Sequence, residues 1–475
     1  MKQSFRVVGV VILALSLPAW AQTGLERFQR QLDQIEREQR LRANPEVPAA
    51  QRALLDYGGY LSYSFFAIDD IHAQTHILNQ YDLIAYARLN IDNVHEIFVR
   101  ARTGYMDWKK GESFDGEGDE TIWPRLEQAF YRFDLARLLS AYKGVRSDYN
   151  VAVQAGRQYV YWGNGLVLSQ YMDGGLVDLT AGPFNLHMLA GVTWGRTTDF
   201  DSSRPQFDDS TYRGFYGAML SAQIRKHRPY VYGMIQRDYN DSTPLVTGGT
   251  TTRFDYDSYY IGAGSTGSIG DRLTYGLEVV YEGGRTLSNS FDPATFAPVE
   301  QTRDDISAGA LDYRMDYLFG DPHRSRISFE TILATGDPDR LNTTNTFGGN
   351  APGGQDTAFN ALGLLNTGLA FAPSVSNLAS FRLGASTFPF ASGNLKRLQV
   401  GSDVLLFFKF RENAPIDEST HDQHFLGWEP DVYLNWQITS DITLALRYGV
   451  FFPGEAIVSD EHPRNFFFAG ITFAF

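Results

Sequence analysis

Hydrophobic and polar residues alternate along most of this chain, from Tyr57 to the carboxyl terminus. In the segment DITLALRYGVFF, alternate residues from Ile442 to Phe452 are apolar, and the opposite face carries Arg447. The segment YDLIAYARLNI repeats the pattern, with Arg88 on its polar face. A period of two residues is that of a β-strand with two different faces. The pattern favours a transmembrane antiparallel β-barrel, closed because an open sheet edge in lipid leaves backbone groups unpaired.

The connections between these segments alternate in length, as they do in outer-membrane barrels. The short connections lie at 92–94, 181–184, 226–229, 268–271, 320–323, 390–394 and 439–441. The long polar connections lie at 108–123, 197–212, 241–252, 284–303, 336–376, 412–426 and 453–464. With residues 366–376 taken as loop, the alternation predicts an up-and-down barrel of 18 strands with a periplasmic amino terminus. A barrel of 16 strands is the alternative, because strands near 165–182 are weakly marked.

The amino terminus predicts export from the cytoplasm. Residues 1–21 have the pattern of a signal peptide, with Lys2 and Arg6 before an apolar run that is shorter than the ~20 residues of a membrane-spanning helix. Residues 22–52 contain an amphipathic helix predicted over 25–42, which either packs on the barrel or lies free in the periplasm, or else recruits a periplasmic partner. The barrel itself is expected over residues 57–475.

Composition narrows the class of protein further. Removal of residues 1–21 changes the formal net charge from −14 to −16, so nucleic acid is not an expected partner. The chain has no cysteine, which excludes disulfides, thiol catalysis and a lipoprotein anchor. Its 34 phenylalanines, 26 tyrosines and 45 glycines suit a lipid-exposed barrel better than an ordinary soluble domain. The last residue, Phe475, resembles the signal read by the outer-membrane assembly machinery, so we expect that machinery as a partner and the outer membrane as the location.

Motifs typical of enzymes and cofactor sites are absent or out of context in the sequence. The letters Gly262-x-Gly264-x-x-Gly267 precede a turn and another strand, whereas a dinucleotide fingerprint opens a helix. His72 and His76 stand four residues apart without the glutamate of a zinc-protease motif. We therefore expect no cofactor, no metal ion and no catalytic activity.

The faces opposite the apolar ones supply the residues expected to line the lumen. The arginines among them are Arg88, Arg100, Arg102, Arg132, Arg314, Arg326, Arg397 and Arg447. Glu429 and Asp431 are acidic residues of the same faces. Guanidinium groups along a water-filled pore offer successive sites for carboxylates, and neighbouring acids keep each site from binding too tightly. The alternative is that these charges pair with one another and only fill a wide barrel.

Three segments in order, AGRQYVYWGNG, FETILATGD and GWEPDVYLNWQITSDITLALRYGVFFPGEA, resemble the alginate export family of bacterial outer-membrane barrels. The resemblance covers roughly residues 57–475. It implies a monomeric pore that passes an anionic uronate polysaccharide outward through an arginine-lined constriction. It also assigns Arg157, Gln158, Asp337, Glu429 and Asp431 to positions of the family motifs.

Arg157 lies near the outer end of its strand, before a segment that we expect to fold inward. Strict alternation places Arg157 on the same face as Val151 and Val153, unless a bulge at Gly156 turns it towards the lumen. The resulting hypothesis is a diffusion channel that exports an alginate-like polysaccharide. The alternatives are a porin that takes up small sugars or organic acids, and a surface-binding protein built on a plugged barrel.

Overall fold

The computed structural model describes residues 53–475, apart from short gaps. The gaps are residues 110–111, 115, 117, 195–202, 204–211, 241–244, 248–249, 293, 296, 342, 345–348, 364 and 459–461. The predicted signal peptide and the helix over 25–42 therefore lie outside the described residues. Within the described part, no helix is long and apolar enough to cross a membrane.

Eighteen strands of the described chain form the barrel wall. They are β1 (Ala53–Asp69), β2 (Thr75–Ile91), β3 (His95–Trp108), β4 (Glu120–Asp134), β5 (Tyr149–Trp162), β6 (Leu168–Ala181), β7 (Phe184–Val192), β8 (Arg213–Ala222), β9 (His227–Asp238), β12 (Asp255–Ile269), β13 (Leu273–Leu287), β14 (Arg303–Leu318), β15 (Arg326–Ala334), β17 (Leu378–Thr387), β18 (Leu398–Lys409), β19 (Phe425–Gln437), β20 (Ile442–Pro453) and β21 (Arg464–Ala474). The short strands β10 (Leu245–Thr247) and β11 (Thr250–Thr252) lie in the connection between β9 and β12, and β16 (Gln355–Asp356) lies in the connection between β15 and β17.

Each wall strand pairs antiparallel with the next wall strand, and the first pairs with the last. The β1–β21 register runs from Tyr60 opposite Ala474 to Ile68 opposite Phe466, which closes the sheet into a barrel. Closure leaves no free edge at this seam, as spanning a lipid layer requires. The prediction of 18 strands is confirmed over the alternative of 16.

The two faces of the wall follow the sequence alternation. On β21, Phe467, Ile471 and Phe473 are exposed, whereas Phe466 and Phe468 on either side of Phe467 are fully buried. Exposed aromatic and aliphatic side chains on the outside suit lipid, and buried or polar side chains face inward. The exposed and buried side chains of β21 therefore follow the two-residue period of its sequence.

One connection differs from the predicted pattern. Between β4 and β5 the chain forms helix α1 (Leu135–Lys143), a nine-residue helix capped by Asp134, whose side chain accepts the Arg137 backbone N–H. Gly144 ends the helix in the left-handed region, with φ 62°. The two-residue alternation of the sequence does not predict this helix.

The outer half of the β5–β6 hairpin leaves the wall. β5 and β6 stay paired from Tyr149 opposite Ala181 to Trp162 opposite Leu168. The pairing of β4 with β5, however, stops at Arg157, and the pairing of β7 with β6 stops at Asp173. Residues 158–172, which we call the inner hairpin, therefore fold into the lumen. Residues near 165–182 were weakly marked in the sequence because half of them lack a lipid face.

Glycines stand where the inner hairpin leaves the wall. Gly156 has φ 130°, and a Cβ built on it would lie 2.2 Å from the Ala129 carbonyl oxygen. A Cβ on Gly174 would lie 2.3 Å from the Ala190 carbonyl oxygen. Only glycine tolerates such close backbone approach at a bend.

Candidate functional site: the lumen

Two segments meet inside the barrel and narrow it. The inner hairpin meets the long connection 335–377, which we call the inner loop. The Ser169 N–H donates to the Leu362 carbonyl at 3.2 Å, and the Leu362 N–H donates to the Val167 carbonyl at 2.9 Å. Leu166, Val167 and Leu168 at the hairpin tip are fully buried. The inner hairpin and the inner loop therefore contact each other inside the lumen, and together they form its constriction.

The inner hairpin rests on the inner face of the wall. Trp162 is fully buried, and its ring centroid lies 6.0 Å from that of Tyr232 on β9. The Asn164 N–H donates to Glu278 of β13 at 2.5 Å, and the Tyr232 hydroxyl donates to the same carboxylate, also at 2.5 Å. Tyr161 donates its hydroxyl hydrogen bond to the Asn164 carbonyl. Apolar packing and one buried carboxylate thus fix the hairpin tip.

Glu429 holds the inner loop. This fully buried carboxylate on β19 accepts the backbone N–H groups of Leu369, Ala370 and Phe371 at 2.5, 2.8 and 2.8 Å. The Phe371 ring stacks on Phe451 with centroids 4.1 Å apart. A carboxylate that accepts several backbone N–H bonds orders a segment lacking strand partners. Glu429 therefore acts on the constriction through the loop.

The base of the inner loop is ordered by buried charged groups. Asp337, which the family resemblance singled out, accepts the N–H groups of Asp339 at 2.9 Å and Thr357 at 3.2 Å. Arg340 donates to Asp356 at 2.7 Å. Burial raises the pKa of Asp356 to about 6, while the Arg340 charge lowers it. These residues shape the base of the loop.

A charged cavity of about 510 Å³ adjoins the inner loop at Asn366 and Leu369. Its basic lining residues are Arg314, Arg326, Arg382 and Arg447, and its acidic lining residues are Asp316, Glu330, Asp403 and Asp431. Arg314 contacts Glu330 at 2.6 Å and Asp312 at 3.0 Å, and Arg382 also donates to Glu330. The cavity therefore presents guanidinium groups held in place by carboxylates.

Two other predicted lumen arginines form a second group on β3. Arg100 contacts Glu127 at 2.5 Å and reaches the Tyr171 hydroxyl of the inner hairpin at 3.4 Å. Arg102 contacts Asp82 at 2.7 Å. A register shift between β3 and β4 near Arg100 leaves Glu127 free to point at these arginines. This group connects the wall to the hairpin.

The remaining predicted arginines are spread along the barrel. Arg88 contacts Glu96 at 3.3 Å and lies over the Phe98 ring. Arg132 pairs in register with Gln154, and Arg326 contacts Asp316 at 3.7 Å. Arg447 donates to the Asn435 side chain at 2.8 Å.

Two arginines that were predicted to line the lumen lie elsewhere, and one arginine that does line the charged cavity was not predicted. Arg397 lies on the exposed 3₁₀ helix Asn394–Arg397 in the turn before β18, where strand alternation does not apply. Arg382 on β17 was overlooked, although Ser380 and Gly384 on either side mark its face as the polar one. The second difference concerns Arg157.

Arg157 does not line the charged cavity. The β5–β6 register runs unbroken through Arg157 opposite Asp173, so no bulge between these strands turns its side chain inward. Arg157 donates to Asp173 at 2.8 Å and to the Trp194 carbonyl at 3.0 Å, where the inner hairpin leaves the wall. The neighbouring Gln158 is buried and donates to the Gly174 carbonyl at 3.2 Å. Both residues brace the base of the inner hairpin.

The described residues contain no grouping of three histidine or acidic side chains that could hold a metal ion. His76, one of the closely spaced histidines, instead stacks on Phe114 with centroids 4.3 Å apart and contacts Asp70 at 3.4 Å.

A closed 18-strand antiparallel barrel with an apolar outer surface and a charged lumen defines a channel of the bacterial outer membrane. The model of the alginate export family matches residues 193–468, and the chain belongs to that family. No curated protein matches the sequence significantly.

Solved structures share the fold at low identity. OccK2 (OpdF) of Pseudomonas aeruginosa, solved with glucuronate, is 9 % identical with TM-score 0.53, over 88 % of this chain and 97 % of its own. OccAB3 of Acinetobacter baumannii is 11 % identical with TM-score 0.53, over 89 % and 99 %. OpdK of Pseudomonas aeruginosa, solved with vanillate, is 11 % identical with TM-score 0.51, over 89 % and 98 %. At these identities the likeness establishes the fold alone.

Proposed function

We propose that this channel exports an anionic, alginate-like polysaccharide by diffusion along the lumen arginines. The observation that carries the proposal is the cavity beside the inner loop, where Arg314, Arg326, Arg382 and Arg447 converge. Membership of the alginate export family supports the same substrate class.

The paired acids fit a diffusion path better than a tight binding site. Glu330 contacts both Arg314 and Arg382, so a substrate carboxylate competes with it for guanidinium donors. Such competition weakens each site, and conduction needs binding that is strong enough for entry and weak enough for release. A uronate chain would move its carboxylates from one guanidinium group to the next with little change in free energy.

Single-channel recording in a planar bilayer tests the proposal. We expect oligouronates to block the ion current, and Arg382→Gln to weaken the block by about tenfold, because one charge-assisted contact is lost. Arg285→Gln is the matched control, because Arg285 pairs with Asp305 at the outer barrel surface and is 71 % exposed. Block that is equal in Arg382→Gln and the unaltered protein would contradict the proposed path.

The small-solute porin remains a second candidate because the inner hairpin and inner loop meet across the lumen. A cavity of about 510 Å³ has room for a sugar acid, and the glucuronate and vanillate bound to the similar barrels are both small carboxylates. Permeation of glucuronate into liposomes, without current block by oligouronates, would favour this candidate. Block by oligomers but not by glucuronate would favour the polysaccharide.

A further inference from the structure

Three arginines project from the outer surface of the barrel at its outer end. They are Arg237 on β9, Arg285 on β13 and Arg303 at the start of β14, with side chains 48 %, 71 % and 52 % exposed. Arg237 follows the exposed Val231 and Ile235 at two-residue spacing, which places it on the lipid side of the wall. All three border the long connections that face outward.

A groove of about 1210 Å³ runs along the wall next to these arginines. Its floor includes Ala218 and Gly233, and a Cβ built on Gly233 would meet no atom within 4 Å. Its apolar sides include Tyr216, Ile235 and Ile261. The apolar lining of this groove suits a hydrocarbon chain lying against the barrel.

Two of the three arginines at the end of the groove are loosely held by their acidic partners, whereas Arg303 contacts Asp255 at 2.8 Å. Arg237 stands 3.5 Å from Asp257, and Arg285 stands 3.4 Å from Asp305. Exposed ion pairs of this kind contribute little to stability, about 0–1 kcal/mol. Their guanidinium groups therefore keep donors available for a stronger acceptor such as phosphate, which binds arginine in a bidentate manner.

A second outer groove, of about 510 Å³, provides a contrast within the same molecule. Its lining includes Leu61, Tyr63, Tyr81 and Tyr105, and its charged lining residue is Asp82, whose side chain contacts Arg102 inside the barrel. The first groove thus combines an apolar trough with arginines at its outer end, as a lipid with an anionic headgroup requires.

We propose that the groove containing Gly233 is a binding site for a phosphorylated glycolipid of the outer leaflet. The acyl chain lies over Ala218 and Gly233, and the headgroup phosphates bind Arg237, Arg285 and Arg303. The site lies on the outer surface of the wall, so it is separate from the transport path.

Native mass spectrometry of the full-length protein in detergent tests the site, with diphosphoryl lipid A as the probe. We expect retention of lipid A by the unaltered protein and at least about tenfold weaker retention by the triple variant Arg237→Gln, Arg285→Gln, Arg303→Gln. Arg225→Gln, on the turn between β8 and β9 at the opposite end of the same wall, is the control and should retain lipid A fully. Heat-modifiable electrophoretic mobility verifies that each variant is folded.

A second variant makes the test independent of charge. Gly233→Leu places a side chain in the trough, and its Cβ would meet no atom within 4 Å, so it should weaken lipid A retention while leaving the arginines intact. Equal retention by the triple variant and the unaltered protein would overturn the proposal. Retention of dephosphorylated lipid A as strong as that of diphosphoryl lipid A, or displacement by inorganic phosphate alone at equal concentration, would overturn it as well.

Discussion

The inner hairpin and the inner loop both narrow the lumen, but they are held there by different forces. The hairpin keeps its own strand pairing up to Trp162 opposite Leu168, so the backbone groups between its two strands are paired within the hairpin itself. The inner loop has little pairing of its own, and three of its N–H groups depend on Glu429. The hairpin therefore needs apolar packing and a bend, whereas the loop needs a buried acceptor.

This difference indicates that the two halves of the constriction can be released separately. Removing packing should free the hairpin and leave the loop in place. Removing the acceptor should free the loop and leave the hairpin in place.

The largest effect is expected from removal of the inner hairpin. Because Arg157 and Asp173 are directly opposed in register, an Asn-Gly turn can replace residues 158–172 without displacing the wall. We expect the single-channel conductance to rise several-fold, because the lumen loses the packed side chains around Trp162. Unchanged conductance in the folded variant would show that the hairpin does not limit the pore.

Glu429→Ala should have the next largest effect, confined to the inner loop. Three buried N–H groups lose their acceptor, which should lower the free energy of unfolding by about 3–5 kcal/mol. Chemical unfolding in detergent measures the loss, and current noise should increase as the loop detaches.

Two further variants make the Glu429 prediction specific. Glu429→Gln keeps one carbonyl acceptor, so it should lose less stability than Glu429→Ala. Trp162→Ala should loosen the hairpin tip without adding the noise expected from the loop, because Trp162 packs on Tyr232. Identical noise in Glu429→Ala and Trp162→Ala would mean that the two segments move as one unit.

Gly156→Ala should have the smallest effect and tests the bend. A φ of 130° and a Cβ 2.2 Å from the Ala129 carbonyl oxygen should cost about 1–3 kcal/mol of stability or shift the hairpin. Gly175→Ala on the paired strand is the control, because its Cβ would meet the Gln154 carbonyl oxygen at an ordinary 3.7 Å. Equal unfolding midpoints for the two variants would show that the bend at Gly156 does not require glycine.

Much of the barrel could be predicted because each wall residue has one of only two environments. Lipid and lumen alternate along every strand, so a local pattern such as that of Ile442 to Phe452 already states which side chains face outward. The same reasoning located most of the short turns and the strand number.

The sequence by itself thus determined the membrane barrel and the polarity of its two faces, since these follow from a period of two residues. It predicted 18 strands but left 16 open, and the structure decided between them. The tertiary structure alone decided that residues 158–172 leave the wall, that Arg157 pairs with Asp173, and that Glu429 holds a loop. These features depend on contacts between residues far apart in the chain, such as Asn164 with Glu278. A local pattern carries no information about such contacts, because burial inside the lumen replaces the lipid and water environments that produce the alternation.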